Sequence, residues 1–207
     1  MSNNLISRLC SILLISPIII TLIHLNGLYF NLFLILILII GIYEILRLNY
    51  IYIKIFVFFL LIFFLISIYI LRNINNGEFH LLFIILITWL SDSGGYIFGK
   101  CIGGKKINII SPNKTYSGFF GGLILPLLSL FFAYEFNVII FNSLILDILF
   151  VISCSAIVIS GDLFFSFIKR KNKIKDFSNL IPGHGGIFDR IDGMIFLTIF
   201  YSLFIIS

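Results

Sequence analysis

Apolar runs of about twenty residues, each long enough to cross a bilayer as a helix, follow one another along the chain with short polar breaks between them. The pattern predicts spans at about Leu5–Leu25, Leu28–Leu46, Ile51–Leu71, Phe79–Phe98, Phe119–Phe136, Asn142–Phe167 and Gly193–Ile206. The stretch 137–167 is long for a single span and has room for one more, short or re-entrant. The expected fold is therefore all-α, a polytopic membrane helix bundle of about seven transmembrane helices, or eight with that extra one. No break is long enough to hold a separate soluble domain, so one integral membrane domain is expected.

Composition agrees with this reading. The chain is 60% hydrophobic and 11% charged, against roughly 25% charged in soluble domains. Cys10, Cys101 and Cys154 stand alone, without a CxxC spacing or a nearby His, which speaks for neither disulfide nor zinc. The first segment opens with Arg8 like a signal peptide. No small-residue cleavage pattern follows it, so it reads as a retained first helix.

Charge then sets the orientation. Arg47 and Lys54 lie in one break, Lys100, Lys105, Lys106 and Lys114 in another, and Lys169, Arg170, Lys171, Lys173, Lys175 and Arg190 in a third. The alternate breaks, at Asn26-Gly27, 72–78 and 135–137, are nearly bare. Basic loops stay in the cytoplasm, so the N-terminus is expected inside, with a site on the cytoplasmic face. No nucleic-acid partner is expected.

The longest polar segment holds a concentration of reactive side chains. Asp162, Ser166 and Lys169 or Arg170 are spaced to share one helix face. A carboxylate in a membrane helix usually faces a polar cavity. Further on stand Lys175-Asp176, then Pro182-Gly183-His184-Gly185-Gly186, then Asp189-Arg190-Ile191-Asp192. Asp189 and Asp192 can point at one centre, and such carboxylates are hard oxygen ligands suited to Mg²⁺. Glycines beside His184 let backbone N–H groups approach a phosphate. Each piece also has a plain reading: the basic run as a membrane anchor, His184 as a turn residue, Asp189 and Asp192 as caps of the last helix. Their coincidence in one loop outweighs those readings.

The segment from Ser166 to Asp192, SFIKRKNKIKDFSNLIPGHGGIFDRID, closely resembles the signature of phosphatidate cytidylyltransferases, also called CDP-diglyceride synthases. The order Ser-x-x-Lys-Arg, Lys-Asp, Pro-x-His-Gly-Gly and Asp-Arg-x-Asp is kept throughout. The middle segment follows the same family with Asp92-x-Gly94-Gly95-Tyr96, Gly99-Lys100, Gly103–Lys106, Ser111-Pro112-x-Lys114-Thr115 and Gly118-x-x-Gly121-Gly122. The likeness covers roughly 88–207, which divides the chain into N-terminal transmembrane helices at 1–75 and a C-terminal catalytic transmembrane region at 76–207. Two positions depart from the pattern: Ser117 and Phe165 stand where family members usually carry Glu. Losing supporting contacts there would tune activity; losing metal ligands would threaten it.

The resemblance implies transfer of a cytidylyl group from CTP to phosphatidic acid, giving CDP-diacylglycerol and pyrophosphate, with Mg²⁺ as cofactor. It implies Asp176, Asp189 and Asp192 as metal ligands, joined by Asp162. Lys169, Arg170, Lys175 and Arg190 would hold phosphates. Ser111, Lys114 and Thr115 would meet the triphosphate, Asp92 the metal or ribose, and His184 a phosphate or pyrophosphate. Ser166, Gly185 and Gly186 complete the substrate contacts. Segments 91–118 and 161–192 must then converge. The resemblance further implies a bacterial inner membrane and a homodimer. Three rivals are weaker. A CTP-dependent polyprenol or phytol kinase lacks the full signature, a small transporter would carry its charges near the bilayer midplane, and the spaced aspartates of CDP-alcohol phosphatidyltransferases are missing. Glu44 and Asp147 receive no functional role.

Overall fold

A computed structural model describes residues 16–106, 114–138, 141, 143–178, 180 and 185–206. Helices carry nearly all of them, because a backbone in hydrocarbon must bond to itself. In order they are α1 (Ser16–Leu25), α2 (Gly27–Leu46), α3 (Ile51–Asn73), α4 (Gly77–Cys101), α5 (Tyr116–Ile124), α6 (Ser129–Glu135), α7 (Leu144–Lys171) and α8 (Phe188–Ile206). Pro126, which lacks an N–H, sits in a 3₁₀ turn at Leu125–Leu128 that joins α5 to α6. The expected span at 119–136 is thus two helices in one crossing. The long stretch before Lys171 contains one 28-residue helix, α7.

Among the described residues, five units are long and apolar enough to cross a membrane: α2, α3, α4, Tyr116–Glu135 and α7. The chain is an integral membrane protein with an all-helical architecture. The last helix begins earlier than its apolar run, at Phe188 rather than Gly193, so that Asp189, Arg190 and Asp192 lie within its first turns. Outward faces of α2 and α3 are large and apolar, with Leu32, Leu36, Ile39, Phe59 and Phe63 all exposed. Inside, Val57, Leu61 and Phe64 of α3 pack with Phe83, Ile84 and Ile87 of α4 and Ile195 and Tyr201 of α8.

Two crossings bring backbones into direct contact. A Cβ added to Gly94 on α4 would stand 2.2 Å from the carbonyl oxygen of Gly121 on α5. On the other side, a Cβ at Gly193 of α8 would meet the Val158 carbonyl oxygen of α7 at 2.8 Å. Small residues permit this approach in membrane helices, where van der Waals packing drives association. These crossings bring α4, α5, α7 and α8 together around the polar residues.

Candidate active site

The two polar segments converge at one end of the bundle. A cavity of about 300 Å³ opens between α4, α5 and α7, lined by Ser91, Asp92 and Tyr96, by Lys114, Thr115 and Gly118, and by Ile159 and Asp162. Lys114 donates to Asp162 Oδ2 across it. Ser166 Oγ donates to Asp162 Oδ1 at 3.4 Å, one turn further along the same face. Thr115 caps α5: its Oγ1 accepts the Gly118 N–H at 3.1 Å. Ser117 donates to the Gly103 carbonyl and lies 3.0 Å from Thr115 Oγ1, so it joins the loop to the cap.

A second cluster lies seven residues on, roughly 10 Å along α7 at 1.5 Å per residue. Lys169 Nζ donates to Asp189 Oδ1 at 2.7 Å, and the N–H groups of Phe177 and Gly186 both donate to Asp189 Oδ2 at 2.9 Å. The Asp189 side chain is 5% exposed. Its carboxylate binds the two ends of the loop to the end of α7, and the backbone N–H groups it takes lie before α8. Gly185 adopts φ +81°, and a Cβ there would be 2.8 Å from Asp189 Oδ2. A glycine is needed at this point on both counts.

Asp192 Oδ1 accepts the N–H of Gly193 at 2.8 Å. Electrostatically it senses Asp162, Asp92 and Lys169. Asp92 senses Asp162, Lys114 and Arg190. Three carboxylates from three helices therefore share one region, interleaved with cations. Asp176, Arg170, Lys175 and Arg190 are exposed at its margin. Ser111 and His184 lie outside the described residues. Of the four aspartates expected at a metal, Asp162 and Asp192 approach each other, Asp189 is engaged by Lys169 and two backbone donors, and Asp176 faces solvent. Among the described residues no three His, Cys, Asp or Glu side chains are gathered as ligands. The carboxylates of Asp92, Asp162 and Asp192 offer oxygen donors alone, the chemistry that a hard divalent cation takes.

Phe165 is fully buried, stacked on Phe188 at 5.6 Å between ring centroids and edge-on to Phe177 at 5.9 Å. It belongs to an aromatic floor beneath the loop, so its position serves packing here.

Two carboxylates left without a functional role on sequence grounds, Asp147 and Glu44, are buried. Asp147 Oδ2 accepts from Tyr134 Oη at 2.8 Å and Oδ1 from the Phe141 N–H at 3.1 Å, joining α6 to the start of α7. Glu44, on α2, accepts hydrogen bonds from Ser178, Ile187 and Phe188. The only signal for either was a charge inside an apolar helix, which by itself favours an inward-facing polar contact.

A model of the cytidylyltransferase family matches residues 49–207. The chain is similar to a phosphatidate cytidylyltransferase of Staphylococcus saprophyticus, with 38% identity over 144 residues, 67% of this chain and 54% of that protein. It resembles proteins of the same name from Staphylococcus haemolyticus, 39% identical over 64% of this chain and 51% of the other, and Haemophilus influenzae, 38% identical over 62% and 46%. The chain spans about half the length of these relatives. A match over well more than half of its residues settles the family question: this chain belongs to the cytidylyltransferase family.

Proposed function

We propose that the protein transfers the cytidylyl group of CTP to phosphatidic acid, producing CDP-diacylglycerol and pyrophosphate. The observation that carries this reading is the meeting of Lys114 with Asp162 in a cavity walled by α4, α5 and α7, at the same end of the bundle as Lys169, Asp189 and Arg190. The name carried by its relatives supports the same chemistry.

A phosphatidate phosphate oxygen is already an anionic nucleophile. It attacks the α-phosphorus of CTP, and the bond to the β-phosphate oxygen breaks to release pyrophosphate. No Ser or Cys nucleophile is required. The obstacle is repulsion between two anions, and catalysis is mainly positioning and charge neutralisation. Lys114 would meet the triphosphate from the cavity wall. Lys169 and Arg190, with Arg170 and Lys175 at the margin, would hold the lipid phosphate and the leaving group. Asp162 and Asp192, with Asp92, would hold Mg²⁺, whose chemistry when bound is neutralisation of phosphate charge.

The same proposal places the site at the cytoplasmic boundary, with seven spans and the N-terminus inside. It is supported by the crowding of Arg47, Lys54, Lys100, Lys105, Lys106 and Lys169–Lys175 at that end, against Arg72 and Glu78 at the other. A bacterial inner membrane fits the relatives' sources. The exposed apolar faces of α2 and α3 leave room for a second protomer as well as lipid.

The test is incubation of purified protein with labelled CTP, phosphatidic acid and Mg²⁺, followed by separation of lipid and nucleotide products. CDP-diacylglycerol and pyrophosphate are expected. Release of CDP with a phosphorylated lipid would replace this reading with a kinase.

A further inference from the structure

We infer that Glu44 is a positioning residue for the segment 172–192, acting from a helix outside the family-matched residues. Glu44 lies near the end of α2 and is fully buried. Its Oε1 accepts from Ser178 Oγ at 2.7 Å and from the Ile187 N–H at 2.7 Å; its Oε2 accepts from the Phe188 N–H at 3.0 Å. Phe188 is the first residue of α8. The carboxylate therefore caps α8 from another helix and, through Ser178, ties down the beginning of the same loop. Charge-assisted bonds of this kind are short and strong, and a carboxylate is favoured at a helix N-terminus.

Gly186 makes the approach possible. A Cβ there would stand 2.4 Å from Glu44 Oε1. A second tie lies beside the first: the Asn49 N–H donates to Asn172 Oδ1 at 2.7 Å, and Asn49 Nδ2 donates to the Asn172 carbonyl at 2.9 Å. Residues 44–49, at the corner between α2 and α3, thus grip both the end of α7 and the start of α8. Lys169, Asp189 and Asp192 lie at those two ends, and Asp162 lies further back on α7. Glu44 does not line the cavity, so it acts through the residues it holds. Its functional consequence rests on the cytidylyltransferase reading; the anchoring itself does not.

The experiment compares wild type, Glu44→Gln, Glu44→Asp and Ser67→Ala, all purified as full chains. Ser67 pairs with Ser202 in the bundle, away from the cavity. In Glu44→Gln an amide N–H₂ faces the donors that the second carboxylate oxygen accepted. Its kcat should fall about 10- to 100-fold, the usual effect of losing a residue that supports a site. The half-saturating Mg²⁺ concentration should rise about tenfold or more, while the KM for CTP moves less than kcat. Glu44→Asp should recover part of the loss, and Ser67→Ala should lose thermal stability without changing kcat or the Mg²⁺ response. Hydrogen exchange of the peptide 176–190 gives a readout independent of activity and should be at least about tenfold faster in Glu44→Gln. Unchanged exchange in that peptide overturns the anchor. Faster exchange with wild-type kcat and Mg²⁺ response overturns the positioning role. A wild type that makes no CDP-diacylglycerol, with exchange still faster in the variant, sinks the cytidylyltransferase reading and leaves the anchor standing.

Discussion

Replacing Asp189 by Asn asks what its carboxylate does. The residue accepts one bond from Lys169 and two from backbone N–H groups, with side chains 5% exposed at Asp189 and 16% at Lys169. Removing one partner of a buried pair costs about 3–5 kcal/mol, because a charge is left without its counterion. Lys169 keeps some access to water, and an Asn oxygen in the place of Oδ2 still accepts both backbone bonds, so about 3 kcal/mol is expected. For a chain of this size each kcal/mol moves the thermal midpoint by roughly 2–4 °C, which gives a fall of about 6–12 °C. Lys169→Met added to the same chain removes the stranded ammonium and should restore part of the loss. The coupling between the two changes should then exceed about 1.5 kcal/mol. The assay is thermal unfolding of four proteins in the same detergent, completing the double-mutant cycle. Additive losses, with coupling below about 0.5 kcal/mol, would refute the pairing role and return Asp189 to the set of metal ligands. Turnover alone does not separate these alternatives, since both expect it to fall.

Other consequences are testable in the same preparation. Gly94→Ala places a methyl group 2.2 Å from a backbone oxygen of α5, and forcing the helices apart should cost about 1–3 kcal/mol with loss of turnover; a midpoint within 1 °C of wild type would contradict the crossing. Lys114→Met should lower kcat/KM about 100-fold, or 2.7 kcal/mol of transition-state stabilisation, and Lys114→Arg should retain much of it; equal losses would remove charge as the reason. Chelation of divalent cations should abolish product formation and Mg²⁺ should restore it, whereas full activity in excess chelator would end the metal proposal. Tyr201→Phe breaks its 2.7 Å bond to His80 inside the bundle, with an expected loss of about 1 kcal/mol of stability and turnover within about twofold of wild type.

The helices were legible because lipid allows so few alternatives: Ile51 and Leu46 were placed to the residue by the apolar pattern. The meeting of Asp162 with Ser166 followed from helical spacing alone. Boundaries written by polar contacts were not legible. The last helix extends back to Phe188, where Glu44 takes the N–H groups of Ile187 and Phe188, and hydropathy carries no trace of that. Pro126 was visible, but its neighbours are apolar enough to hide the turn it makes. Hardest of all was Glu44, whose partners lie 134 to 144 residues away. A single buried charge in a sequence shows that a partner is needed and says nothing of where it is.

That distance has a practical meaning for anyone trimming the chain. The segment matching the family begins at residue 49, and a shortened protein starting there would look complete on paper. It would be missing the acceptor for Ser178, Ile187 and Phe188. The helix before the recognised unit packs into the same core, and one acidic side chain carries its tie to the start of α8.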